Sequence, residues 1–198
     1  PDEAFMCAQL AGNDSNFLPF NKGFNYGKGN PVNPNGHKTA YLWQDILPRR
    51  SLTNIIEQFA KFTVEKDKKT GKERKALFFP RYHQLDVVRG ILADAQQKGV
   101  GQTYLIQHSA GSGKSNSIAW TAHQLASLYD DAGQRLFNSV IVITDRTVLD
   151  KQLQDTIYQF EHAQGVVKQI NRETSSQSKS EQLAEALAEQ TRIIIVTI

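Results

Sequence analysis

His108-Ser109-Ala110-Gly111-Ser112-Gly113-Lys114-Ser115 stands between an apolar run, Thr103-Tyr104-Leu105-Ile106-Gln107, and a segment in which Ile118, Ala119, Ala122, Leu125 and Ala126 recur at three- and four-residue spacing. Periodicity of this kind predicts a strand, a glycine loop and a helix in that order. Gly111 and Gly113 lack a Cβ, so the backbone there can turn left-handed and aim its N–H groups inward. The helix that follows adds unpaired amides and the positive end of its dipole. Such a stretch suits the phosphates of ATP, with Lys114 reaching the β- and γ-phosphates and the Ser115 hydroxyl on the bridging Mg²⁺. The strict pattern has glycine where His108 stands. That departure is tolerable if His108 closes the strand with ordinary β dihedrals, and it points away from small kinases and G proteins. A Gly/Ser turn that merely contains a lysine is the bland alternative, and the terminal Gly-Lys-Ser with correct flanks on both sides argues against it.

Working outward, helices and strands alternate from residue 80 on, which predicts an α/β fold with a parallel sheet flanked by helices. A helix over 82–98 leads to the strand before the glycine loop. A helix over 114–129 leads through Asp130-Asp131-Ala132-Gly133 to a strand at Ser139-Val140-Ile141-Val142-Ile143-Thr144. Leu149, Leu153, Ile157 and Phe160 mark an amphipathic helix ending near Gly165. Ser178 and Glu181 form a capping box before Leu183 and Leu187, and 192–198 is a second buried strand. Thr144, Asp145 and Arg146 fall just past a strand's C-terminal end, where open α/β sheets put their ligand loops. Two readings stay open for them: contact with a DNA backbone, or a cap on the next helix.

Upstream of residue 80 the signals are weaker. Residues 1–40 stack turn chemistry end to end in Asn21-Lys22-Gly23, Gly27-Lys28-Gly29-Asn30-Pro31 and Asn33-Pro34-Asn35-Gly36, and they are expected to be an irregular linker. Residues 41–79 read as a lead-in: a short helix at 41–47 stopped by Pro48, a helix over 52–62 capped by Ser51, and a hairpin around Gly71. Leu52, Ile55, Ile56, Phe59 and Phe62 would line one face of that second helix. The hairpin tip, Glu65 to Lys75, mixes both charge signs and reads as a solvated loop rather than a DNA contact.

Composition sets the outer bounds. A hydrophobic content of 39% and a charged content of 22% describe an ordinary globular chain, with a mild net charge of +3 that permits a polyanionic partner without demanding one. One cysteine, Cys7, rules out an internal disulfide framework and a Cys-based zinc cluster, which fits a reducing cytoplasm. The five histidines lack metal-ligand spacing. No apolar stretch has membrane-spanning length and no secretory signal is visible. The start at Pro1, without an initiator methionine, reads as an excised piece of something longer.

Taken together, Phe79-Pro80-Arg81-Tyr82-His83-Gln84, the glycine loop and Ile143-Thr144-Asp145-Arg146 with Leu149 and Gln152 resemble the first three motifs of a superfamily 2 helicase-type motor. Adding Phe17-Leu18-Pro19-Phe20-Asn21-Lys22-Gly23, Gly29-Asn30-Pro31 and Thr39-Ala40-Tyr41-Leu42-Trp43, nearly the whole chain resembles the restriction (R) subunit of type I restriction-modification enzymes. That resemblance implies part of a RecA-like first motor lobe over 80–198, joined by 1–40 to an upstream nuclease. It further implies ATP-dependent translocation and cleavage of double-stranded DNA, in a cytoplasmic complex with methylation and specificity subunits. Gln84, helped by Arg81, would read adenine, since one amide offers a donor and an acceptor to the N6/N7 edge. By itself Gln84 would pass for an exposed helical residue.

Hydrolysis also needs a carboxylate to hold Mg²⁺ and align water, and a cation for the developing charge. In motors of this type both come from further along the chain, and the nuclease carboxylates come from before it. These 198 residues alone are therefore expected to bind ATP weakly and neither to hydrolyse it nor to cut DNA. Two competing readings are another helicase or chromatin-remodelling ATPase, against which the Asn/Gly/Pro segment argues, and a non-motor P-loop kinase, for which His108 and the Thr144 loop are unexpected.

Overall fold

The computed structural model describes residues 2–66, 73–144, 147–160, 165–170 and 177–197. The chain forms two compact units, Pro1–Asp86 and Val87–Ile198.

In the first unit, β1 (Phe5–Met6) pairs antiparallel with β2 (Leu18–Pro19). The stretch expected to be irregular is knit by asparagine side chains. Asn21 Oδ1 accepts from the Ala4 amide and from Asn30 Nδ2, both at 2.8 Å, and Asn30 Oδ1 accepts from the Lys22 amide at 2.8 Å. Asn30 is buried, and its remaining donor reaches the Asp2 carbonyl. Asn25 and Tyr26, with φ of 47° and 60°, are the two centre residues of a tight turn closed by Phe24 and Gly27, the geometry whose twist suits a two-residue hairpin. Turn residues thus made structure here because their side-chain amides replace the ladder that so short a segment lacks.

The short helix at 41–47 is a single π turn, Leu42–Ile46, closed by the Leu47 amide on the Leu42 carbonyl at 2.7 Å. Helix α1 runs Arg49–Gln58 with Pro48 as its N-cap, so Ser51 lies inside the helix and does not cap it. The Pro48 carbonyl already accepts the Leu52 amide at 2.9 Å, which puts the helix start ahead of the serine. Ile55 and Phe59 are buried as expected, but Ile56 is exposed and Phe62 belongs to the next strand. That strand, β3 (Lys61–Lys66), pairs antiparallel with β4 (Glu73–Phe78), while the tip at 67–72 lies outside the described residues. Helix α2 (Tyr82–Lys98) begins in the first unit and ends in the second.

The second unit is α/β. Its sheet has the order β5 (Val140–Thr144), β7 (Ile193–Thr197), β6 (Val167–Ile170), all parallel. Helix α4 (Thr147–Gln159) carries the chain from β5 across to β6, and α5 (Lys179–Ala188) brings it back to β7. The two crossovers run in opposite directions, so right-handed connections place their helices on opposite faces of the sheet. Helix α3 (Lys114–Ala126) packs with α4 over β5 and β7. Trp120 stacks on Phe160 at 5.4 Å, and His123 Nε2 lies 2.8 Å from the Ile157 carbonyl. On the far face Ile170, Ala186 and Ile194 form a fully buried cluster. The capping box of α5 is complete, with Ser178 Oγ accepting from the Glu181 amide and the Glu181 carboxylate accepting from the Ser178 amide at 2.8 Å. The bonds that the Ser178 amide and then its hydroxyl donate to the Glu181 carboxylate hold that carboxyl below its ordinary pKa.

One strand expectation is corrected, and one strand forms where none was expected. Residues 103–107 pair with no other described strand, and Leu105 is 94% exposed. The Tyr104 hydroxyl instead bonds the Asp94 carboxylate at 2.7 Å, beside the Lys98–Asp94 ion pair. A strand is made by pairing with a neighbour, and this run enters no ladder among the described residues, so β-propensity alone does not make it a strand. Conversely β6 was not foreseen; its four residues are too few to show a period, and pairing with β7 makes it a strand. Unfolding in urea should show that Ile194→Ala loses about 2–5 kcal/mol. Ile143→Ala, at a side chain 62% exposed on the same sheet, should stay within about 0.5 kcal/mol of the parent.

Candidate nucleotide site

The glycine loop in the second unit leads directly into α3. Gly111 and Gly113 have φ of +72° and +81°, and Gly113 is the N-cap of α3 in the left-handed region. No side chain caps the helix and its first turn holds no acidic residue, which leaves the helix start to its backbone amides and dipole. The Asn116 and Ser117 amides close onto the Gly113 carbonyl, at 3.1 and 3.3 Å, and so fix the direction of that first turn. His108 is not among the described residues with positive φ, so replacing glycine there introduces no backbone strain. The substitution that departs from the strict pattern is conformationally harmless.

Lys114 leans back over its own loop, with Nζ at 3.1 Å from the His108 carbonyl and 2.9 Å from the Ser109 carbonyl. These two acceptors are neutral, and a phosphate oxygen at the same spot makes the stronger, charge-assisted bond. Ser115 is half-buried one residue into the helix and Ser112 is buried in the loop. The loop therefore fits a triphosphate by its backbone dihedrals, its uncapped helix and its adjacent ammonium, and Ser115 would hold the accompanying Mg²⁺. Ser109, Ala110 and Gly111 are exposed.

Arg81 and Gln84 belong to the first unit. Gln84 is only 1% exposed, so the reading of it as an exposed helical residue is corrected. Its Oε1 accepts the Arg81 backbone N–H at 2.9 Å, and the Gln84 and Leu85 amides both return to the Arg81 carbonyl. This is half of a capping box, with the third helical residue reaching back to the N-cap. The bond fixes the amide plane. The sequence signal for it is a glutamine three residues after the residue preceding the helix.

Thr144 ends β5, with Thr197 of β7 beside it in register. Asp145 and Arg146 lie outside the described residues. Lys179, not anticipated from sequence, donates to the Thr197 carbonyl at 2.5 Å and so brings a cation to the carboxyl edge of the sheet. The only cue in the sequence was its place directly after a cap residue. Among the described residues no three His, Cys, Asp or Glu side chains converge as metal ligands, and no helix is long and apolar enough to cross a membrane.

Comparison with protein families gives a match to the family described as SWI2/SNF2 ATPase, over residues 83–198. The chain belongs to the SWI2/SNF2 ATPase family. Comparison with the curated proteins and with solved structures gave no match. The match spans Gln84, the glycine loop, the Thr144 strand end and all three parallel strands. As a SWI2/SNF2 ATPase the chain is a superfamily 2 helicase-type motor protein, and its three-stranded parallel sheet flanked by helices is part of a RecA-like lobe. A Cβ placed on Gly111 meets nothing within 4 Å, so the effect of Gly111→Ala is conformational alone. Forcing alanine into the left-handed region costs about 1 kcal/mol, so titration with ATP should show roughly fivefold weaker binding and a melting temperature shifted by only a few degrees.

Proposed function

We propose that the chain is the ATP-binding part of the DNA-translocating motor in the restriction subunit of a type I restriction-modification enzyme. The observation that carries the ATP reading is the uncapped start of α3 behind a left-handed Gly113, with Lys114 beside it. His108 to Ser115 hold the phosphates by backbone amides, and Lys114 moves from its two carbonyls to the β- and γ-phosphates. Ser115 would hold Mg²⁺, which would supply charge neutralisation for the phosphates. Gln84, its plane set by the Arg81 amide, reads adenine. Thr144, Asp145 and Arg146 contact the DNA backbone without reading sequence.

Support for the restriction-subunit reading, as against other members of the family, comes from residues 17–43. The Asn/Gly/Pro and aromatic residues that carry the resemblance are the same ones that hold this segment together: Asn21, Asn30, Phe20 and Tyr41. The partners that follow from it are double-stranded DNA and the methylation and specificity subunits, with 1–40 leading from a nuclease domain, 41–79 as the lead-in and 80–198 in the motor lobe. A remodelling-type motor is the second reading, favoured by membership of the SWI2/SNF2 ATPase family.

In the intact protein, double-stranded DNA should stimulate ATP hydrolysis, and Lys114→Ala should abolish it; a phosphate-release assay that finds the variant as active as the parent would overturn the ATP reading. Arg146→Ala should raise the DNA concentration needed for half-stimulation and lower the salt slope of DNA binding by about one. Adding methylation and specificity subunits should yield ATP-dependent DNA cleavage. Stimulated hydrolysis without any cleavage would favour the remodelling-type motor instead.

A further inference from the structure

The first turn of α2 is caged from outside the family-matched region. Tyr82, between Arg81 and His83, meets Phe20 edge-on at 5.7 Å and Tyr41 edge-on at 5.2 Å. Lys22 Nζ stands over both tyrosine rings, 5.1 Å from the centre of Tyr41 and 5.9 Å from that of Tyr82. Tyr41 is itself fixed, because its hydroxyl donates to the Phe20 carbonyl at 2.5 Å. Burial raises the pKa of that hydroxyl and keeps it a donor. Lys22 is held in turn by its amide on Asn30 Oδ1, and Gly23 by its amide on the Gly29 carbonyl at 2.8 Å. The side chain also lies 3.8 Å from Asp45, an exposed pair at the edge of contact range.

These contacts converge on one residue, and that residue adjoins the Arg81–Gln84 bond. Three aromatic or cationic contacts on Tyr82 set how α2 begins, and the way α2 begins sets the plane of the Gln84 amide. We infer that Lys22 is a positioning residue for adenine recognition: by bridging Tyr41 and Tyr82 it holds the first turn of α2, and with it Gln84, in the orientation that reads the base. This rests on Gln84 as the adenine reader, proposed above. It gives residues 18–31 a second task, as a brace on nucleotide selectivity rather than a plain connection.

The test compares ATP with inorganic tripolyphosphate, which has the phosphates and no base, by competition against a fluorescent nucleotide in the full-length protein. Lys22→Met keeps the stem and removes the cation. It should weaken ATP binding about fivefold, the loss of one partly desolvated cation–π contact, and leave tripolyphosphate within about twofold. Lys22→Arg should restore ATP binding, whereas Asp45→Asn should leave both ligands unchanged. Equal weakening of both ligands by Lys22→Met, or of neither, overturns the inference. Gln84→Ala in the same assay separates the two levels. If Gln84→Ala lowers ATP alone while Lys22→Met does not, the brace is wrong and the adenine reading stands; if Gln84→Ala leaves the ratio unchanged, the adenine reading fails and the inference falls with it.

Discussion

The site depends on one left-handed residue. Gly113 turns the chain at φ 81° and ψ 38°, and from that turn α3 starts with no side chain capping it. A residue with a Cβ is disfavoured there by about 1 kcal/mol or more, and glycine takes the conformation without that strain. Lys114 follows at once, so the ammonium lies over the loop that the turn creates, on the His108 and Ser109 carbonyls. A positive helix end and a flexible cation at one point make a place for a polyanion.

Holding that turn still is the work of the helix behind it. Helix α3 is anchored through Trp120 on Phe160 and His123 on the Ile157 carbonyl, contacts that lock it to α4 over the sheet. The sheet resists displacement because Ile193, Ile194 and Ile195 of its central strand are buried on both faces. The start of α3 is thus the end of a helix packed along the sheet, and the loop residues Ser109, Ala110 and Gly111 in front of it are exposed. In the first unit the same logic runs through different chemistry. There Asn21 and Asn30 bond three backbone groups, those of Asp2, Ala4 and Lys22, and an aromatic cage grips Tyr82.

Local signals were legible because they act over one turn. Ser178 and Glu181 make their capping box whatever surrounds them, and the spacing of Leu153, Ile157 and Phe160 marks the buried side of α4. Pairing was not legible. Residues 103–107 have the composition of a strand and no ladder, whereas Val167–Ile170 have a weak pattern and a good one. The burial of Gln84 was missed for a related reason, since its oxygen answers an amide three residues back rather than solvent.

What the amino-acid order determined by itself was the left-handed glycine turn before α3, the presence of the helices, the capping box of α5, and the parallel character of the second unit. Glycine dihedrals, capping bonds and hydrophobic period are set within a few residues, so they survive without knowledge of the whole. What only the tertiary structure decided was which strands acquire neighbours, how Lys114 rests on its own loop, and that Lys22, Tyr41 and Tyr82 meet around the start of α2. Those outcomes join residues far apart in the chain, and a contact across 60 positions has no signature in either of the segments that make it.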